Sequence, residues 1–190
     1  MRMPILETER LLIRPFALDD LQACSQILDP PSADEPTRTR RLDWLQWSVM
    51  NYEELARLYQ PPYGDRAVML KATRELVGAV GLAPSFGPFG VLPSFGPVPD
   101  PQAARRNSPE MGLFWTLAPA HRGHGYATEA ARALIEYAFR VLDLRRIVAT
   151  TDYTNAASIA VMSRLGMRIE KNPYPEPEWF QVVGVLENRG

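Results

Sequence analysis

Apolar positions along this chain fall into two rhythms, one of period two and one near 3.6, and their succession predicts a mixed order of strands and helices. A short strand over 10–14 is ended by Pro15, and Asp19 reads as the N-cap of a helix reaching Leu28. Pro30, Pro31 and Pro36 break the chain. Leu45, Val49, Tyr52, Leu55 and Leu58 then recur at helical spacing, which predicts a helix over 42–59 stopped by Pro61 and Pro62. Two strands follow, over 66–72 and 76–83. The clearest alternation comes at 110–117, where Met111, Leu113, Trp115 and Leu117 interleave with Glu110, Gly112, Phe114 and Thr116 as in a half-buried strand. A helix over 126–142 places Ala127, Ala130, Leu134, Ala138 and Val141 on one face. A strand over 145–151, a helix over 155–165 stopped by Gly166, and strands over 168–171 and 181–186 complete the pattern.

The segment 84–109 fits neither rhythm. The pentapeptide Pro-Ser-Phe-Gly-Pro occurs there twice, beginning at Pro84 and at Pro93, too few copies for a repeat architecture. So long a stretch without secondary structure is usually functional or disordered. Phe86, Phe89 and Phe95 favour a packed flap or a contact in a homodimer over a solvated linker.

Composition narrows the function classes. A chain of 190 residues suits one buried domain, so 1–190 is expected to be a single domain carrying the 84–109 insertion. The net charge of -1 supplies no global field for nucleic acid or an anionic membrane, so any bound anion must be held by a few local donors. Cys24 is the lone cysteine, which excludes an intramolecular disulfide and a cysteine-built metal site. Arg2, Glu7, Glu9 and Arg10 interrupt the N-terminus where a signal peptide needs an apolar run, and no stretch approaches the ~20 apolar residues of a membrane span. A cytoplasmic protein with no membrane or nucleic-acid partner is the expectation.

Candidate chemistry concentrates at Arg122, Gly123, His124, Gly125, Tyr126, Ala127 and Thr128. Two glycines let a ligand approach the backbone, and the helix that follows opens with N–H groups lacking internal partners. Those donors and the helix dipole suit a pyrophosphate, with Arg122 adding charge at the rim and Thr128 a hydroxyl. The same glycines also serve a plain tight turn. A dinucleotide fold fits less well, because Thr128 stands where a third glycine belongs and Asp152 lies too far downstream for a ribose contact. His121 and His124 lie too close together for a catalytic histidine and its orienter, and no cluster has metal-ligand spacing, so no metal is expected.

The run from Arg122 to Ala130 resembles the pyrophosphate signature of the GNAT N-acetyltransferases, in particular the branch of the ribosomal-protein N-terminal acetyltransferases (RimJ/RimL-like). Thr8-Glu-Arg-Leu-Leu-Ile-Arg-Pro15 resembles that branch's opening strand, and Asn155-Ala-Ala-Ser158 followed by Arg164-Leu-Gly-Met167 resembles two further motifs, in the family's order. The resemblance implies an α+β sandwich: a mixed, mostly antiparallel sheet splayed in a V, with helices on both faces. It implies that acetyl-CoA lies in the V, its pantetheine arm pairing with backbone at Leu117 and Ala118 and touching Asn155, otherwise a helix N-cap. It also implies acetyl transfer to a primary amine of a protein N-terminus, amino acid or other small molecule, by direct attack in a ternary complex.

An alkyl amine of pKa ~10.4 is only ~0.1% neutral at neutral pH, whereas an α-amine near ~8 is ~10% neutral, so the former has more need of a base. Glu110, at the start of a strand lining the V, is the candidate; its alternative is a solvated strand-end carboxylate. Where many relatives carry a tyrosine acid this chain has Met162, which donates no proton. Ser158 is the candidate hydrogen-bond donor to the leaving sulfur, or simply a small residue in a first helical turn. Met162 also admits a catalytically weak CoA-binding sensor on the same fold. Trp44, Trp47, Tyr52 and Tyr59, at helical spacing, are expected in the core, with the acceptor side as the alternative, and Trp179 and Phe180 are candidates for a further wall of the acceptor pocket.

Overall fold

A computed structural model describes residues 1–29, 34–97 and 100–190. Among them the elements run β1 (Leu6–Glu7), β2 (Leu11–Pro15), α1 (Leu21–Leu28), α2 (Glu35–Arg57), β3 (Gly64–Leu70), β4 (Leu76–Gly87), α3 (Pro101–Ala104), β5 (Ser108–Leu117), α4 (Tyr126–Arg140), β6 (Arg146–Thr151), α5 (Ala156–Arg164), β7 (Arg168–Lys171) and β8 (Val182–Glu187). In hydrogen-bonding order the sheet is β1-β2-β3-β4-β5-β6-β8-β7. β5 meets β6 in parallel at Gly112 opposite Val148; β1–β2, β2–β3, β3–β4, β6–β8 and β7–β8 are antiparallel. The expected mixed, mostly antiparallel α+β sheet is therefore present. The chain divides into two compact units, Met1–Leu82 with Phe114–Leu134, and Ala83–Leu113 with Ile135–Gly190.

In the first unit Leu11, Ile13, Val68 and Val80 are fully buried in the sheet, and Phe16, Cys24, Leu45, Ala67 and Ala79 form a core with Trp44 and Phe114 packed on it. β4 carries glycine at 81 because the Phe114 ring fills that space: a Cβ there would lie 2.2 Å from it. Two expectations at helix starts are corrected. Pro36 does not break the chain but sits in the first turn of α2, where its missing N–H costs nothing, and Asp34 caps the helix by accepting from Thr37 N–H at 3.0 Å. Asp19 is not an N-cap; the chain enters α1 through a 3₁₀ turn (Leu18–Asp20), and the Asp20 carboxylate accepts from Ala17 N–H (2.8 Å) and from Arg14 (2.6 and 2.7 Å). Burial pushes the Cys24 thiol up to about 12, helped by the charge of Asp20.

In the second unit the core is Phe89, Leu92, Val148, Phe180, Val183 and Val185, with Val91 and Phe95 packed against it. The 84–109 segment is thus not without secondary structure. β4 runs on to Gly87, two 3₁₀ turns follow at Phe89–Val91 and Pro93–Phe95, and α3 precedes β5. Aromatic burial organises it: the Phe89 ring meets Phe95 and Phe180 at 5.1 Å each, and the Arg105 guanidinium lies 4.1 Å from the Tyr174 ring. Phe86 remains exposed. Val141 is also half exposed, because α4 ends at Arg140 and its buried stripe consists of Ala130, Leu134 and Ala138 with Ala131, Ile135 and Tyr137.

Candidate cofactor site

The loop between β5 and α4 belongs to the first unit. Ala118 N–H donates to the Val77 carbonyl (2.9 Å), tying the end of β5 to β4, and a 3₁₀ turn at Pro119–His121 redirects the chain. Gly123 and Gly125 both have φ of 81°, a conformation unfavourable for side-chain-bearing residues, and a Cβ at Gly123 would meet nothing within 4 Å. Glu129 N–H donates to the Gly125 carbonyl at 3.0 Å as α4 begins, so the amides of Tyr126, Ala127 and Thr128 precede any intrahelical acceptor. The loop thus presents two left-handed glycines, Gly123 open and Gly125 with Arg10 Nη2 3.5 Å from its Cβ position, leading into a helix N-terminus. That is the arrangement a pyrophosphate needs.

Side chains around the loop are already engaged. Arg122 Nε donates to the Leu117 carbonyl (3.2 Å), at the strand end where the pantetheine arm was expected. His121 Nε2 lies 3.0 Å from Glu75 Oε1. The His124 and Tyr126 rings stack at 5.6 Å with 14° between their planes. A cavity of about 300 Å³ elsewhere in this unit, lined in part by Met3, Phe16, Tyr52, Tyr63 and Arg66, contains none of the residues expected to bind the cofactor.

In the second unit, Glu110 accepts from Arg146 through both oxygens, Oε2 from Nε (3.1 Å) and Oε1 from Nη2 (2.7 Å), with each side chain 13% exposed. Arg146 also lies 4.1 Å from the Phe95 ring and 3.6 Å from Glu187. Asn155 is the N-cap of α5, its Oδ1 accepting from Ser158 N–H at 3.0 Å, and both residues are half-buried. Met162 is 1% exposed, its sulfur 3.1 Å from where Gly184 would carry a Cβ. It is a core residue.

A family description, Acetyltransferase (GNAT) domain, matches residues 10–168. The chain belongs to the GNAT acetyltransferase family. It is 28% identical over 169 residues to the uncharacterized N-acetyltransferase YnaD of Bacillus subtilis (strain 168), covering 87% of this chain and 83% of that one. Its fold matches an acetyltransferase from Agrobacterium tumefaciens str. C58 with a TM-score of 0.63 at 26% identity, covering 98% and 96% of the two chains. It also matches ribosomal-protein-S5-alanine acetyltransferase from Vibrio fischeri with a TM-score of 0.64 at 17% identity, covering 98% of each. The family expected from the loop is the family found, and the protein is an acetyl-CoA-dependent acyltransferase.

Two residues of this GNAT chain escaped the sequence reading. Glu129, in the first turn of α4, and Arg10, before β2, form an ion pair at 2.6 Å beside the loop. Both lie within motifs that carried the resemblance. Nothing in either motif alone says that they are partners; only the fold brings the two together.

Proposed function

We propose that this GNAT enzyme moves the acetyl group of acetyl-CoA to a primary amine, with the segment 122–128 holding the pyrophosphate. The observation that carries the reading is the pair of glycines at φ 81°, with unhindered space at Gly123, leading directly into the first amides of α4. In this reading Leu117, Ala118, Asn155 and Ser158 serve the rest of the cosubstrate, as the family resemblance implies. Acetyl-CoA supplies an activated acyl group; the neutral amine attacks its carbonyl, the N–C bond forms, the C–S bond breaks, and the amine's proton must leave.

Glu110 is the proposed acceptor of that proton. A carboxylate has about four lone-pair sites, so accepting from Arg146 leaves capacity toward an amine or a bridging water. The Ser158 hydroxyl has no protein partner among the described residues and is the proposed donor toward the departing sulfur. The acceptor class follows the same reading: a protein N-terminus, an amino acid or another small amine. A homodimer in the cytoplasm completes it, and light scattering on the purified protein checks the assembly.

The test combines binding and turnover. Acetyl-CoA and CoA should raise the thermal midpoint of the purified protein while NAD does not, because only a ligand of the native state stabilises it. A thiol-release assay across peptides with free N-termini, amino acids and polyamines should then select an acceptor. No stabilisation by CoA would remove the pyrophosphate site. With that acceptor, Glu110→Gln should lower kcat ~10²–10⁴-fold without changing CoA affinity. A variant of undiminished kcat reduces Glu110 to a structural partner of Arg146.

A further inference from the structure

The glycine loop has freedom to lose. Backbone that is mobile before binding must be ordered during binding, and a structure that orders it in advance raises affinity. The fold supplies such a device from a distant part of the sequence.

Thr8 and Arg10 lie in the tight turn between β1 and β2, closed by Thr8 N–H donating to the Leu11 carbonyl and Leu11 N–H donating to Thr8 Oγ1, each at 3.0 Å. From this turn the Glu129 carboxylate collects the Thr8 hydroxyl (2.5 Å), the Arg10 backbone N–H (2.9 Å), Arg10 Nε (2.7 Å) and Arg10 Nη2 (2.6 Å). Burial pushes the Glu129 carboxyl up, but those hydrogen bonds and the Arg10 charge outweigh it and hold it below the usual range, so it stays ionised.

The guanidinium works on two sides. One edge faces Glu129, while Nη1 donates to the carbonyl of His124, the residue between the two loop glycines, at 3.0 Å. Nη2 lies 3.5 Å from where Gly125 would carry a Cβ, and the Arg10 Cζ is 4.7 Å from the centre of the Tyr126 ring. One side chain thus hydrogen-bonds His124, lies over the Tyr126 ring and stands beside the side-chain position that Gly125 leaves empty, while anchored to the helix that follows the loop. Only a planar, multi-donor fork does this; a lysine ammonium at the same place satisfies one partner at a time.

We infer that Arg10 and Glu129 form a positioning lock that holds the loop 123–126 in its ligand-binding conformation, so that affinity for acetyl-CoA is set in part from the N-terminal turn. The inference rests on the proposed pyrophosphate role of the loop. Arg10 is here a positioning residue, acting through His124, Gly125 and Tyr126.

The test uses the full-length protein and Arg10→Ala, Arg10→Lys, Glu129→Gln and the double variant Arg10→Ala/Glu129→Gln. Calorimetry with CoA and with dephospho-CoA, steady-state kinetics, and amide hydrogen exchange of the free protein are measured for each. Arg10→Ala and Glu129→Gln should each weaken CoA about 10- to 100-fold, the scale of a lost charged hydrogen bond. KM for acetyl-CoA should rise in step, with kcat at saturation and KM for the amine within about twofold of wild type. The double variant should be no weaker than the worse single one, because the pair acts as a unit. Arg10→Lys should not restore affinity, and exchange at 123–127 should accelerate in the free variants.

Several outcomes overturn the lock: variants that bind CoA as wild type does, effects that multiply in the double variant, or a fall in kcat with KM unchanged. Loss in Arg10→Ala of any preference for CoA over dephospho-CoA overturns it too, because Arg10 would then contact the ligand's 3′-phosphate itself. Glu129→Gln preserves side-chain volume and keeps the test usable if Arg10→Ala folds poorly. If wild type does not bind CoA, the pyrophosphate reading fails first, which is distinct from a lock that fails in a protein that binds.

Discussion

Asp65, at the start of β3, has a carboxyl that burial pushes up to about 6, although the Trp44 indole and the Arg41 charge pull it down. A raised carboxyl favours the protonated form in the folded state. The stability it contributes is fully present below the unfolded value near 3.8 and is lost as pH rises through about 6. A shift of this size corresponds to roughly 2–3 kcal/mol. Asp65→Asn, which removes the charge and keeps the shape, should therefore melt higher than wild type at pH 8 and lose that advantage by pH 4. Asp20 and Glu129 act in the opposite sense: burial opposes their charge, but their hydrogen bonds prevail and lower both values, so each loses stability as pH falls. Comparing variant and wild type at each pH isolates Asp65, and equal melting at pH 8 would exclude the effect. None of this was legible in the sequence, where Asp65 is one polar residue between Gly64 and Arg66.

At the scale of elements, legibility followed the strength of local patterning. The strand at 110–117 and the helices after Gly125 and Asn155 were placed to within a residue or two, because alternation, glycine and an N-cap agreed. The insertion was not. Its two copies of Pro-Ser-Phe-Gly-Pro are identical in sequence, yet the first continues β4 to Gly87 and the second forms a 3₁₀ turn at Pro93–Phe95. Tertiary packing decides between them: Phe86 is 62% exposed, whereas Phe95 stacks on Phe89 and lies under Arg146. Phe95→Ala should cost about 2–3 kcal/mol in urea unfolding, and Phe86→Ala no more than about 0.5 kcal/mol. Equal effects would mean that the insertion's packing contributes no stability. The missed Arg10–Glu129 pair has the same origin. A motif names a residue, but its partner at the other end of the sequence appears only when the chain is folded.

At the scale of the whole molecule, the two compact units are not consecutive stretches of sequence. β4, β5 and α4 each run continuously from one unit into the other, at Leu82–Ala83, Leu113–Phe114 and Leu134–Ile135. No composition shift marks these points, because a strand or helix that continues has no linker. The candidate residues divide accordingly: Leu117 and 122–128 lie in the first unit, Glu110, Asn155 and Ser158 in the second. The motifs that identify the family were legible because each is local. The division of the chain was not, because it is written in contacts far apart in sequence.

The single cysteine has a practical consequence for any study of this enzyme. Acetyl transfer releases a thiol, and the usual colorimetric reagents count thiols of every origin. Cys24 is fully buried with its thiol held up at about 12, so the native protein should contribute no colour of its own at pH 8. Denaturant should then reveal one reactive sulfur per chain. Labelling at Cys24 becomes a stopwatch for how often the first unit opens, and rapid modification under native conditions would contradict the packing described around it.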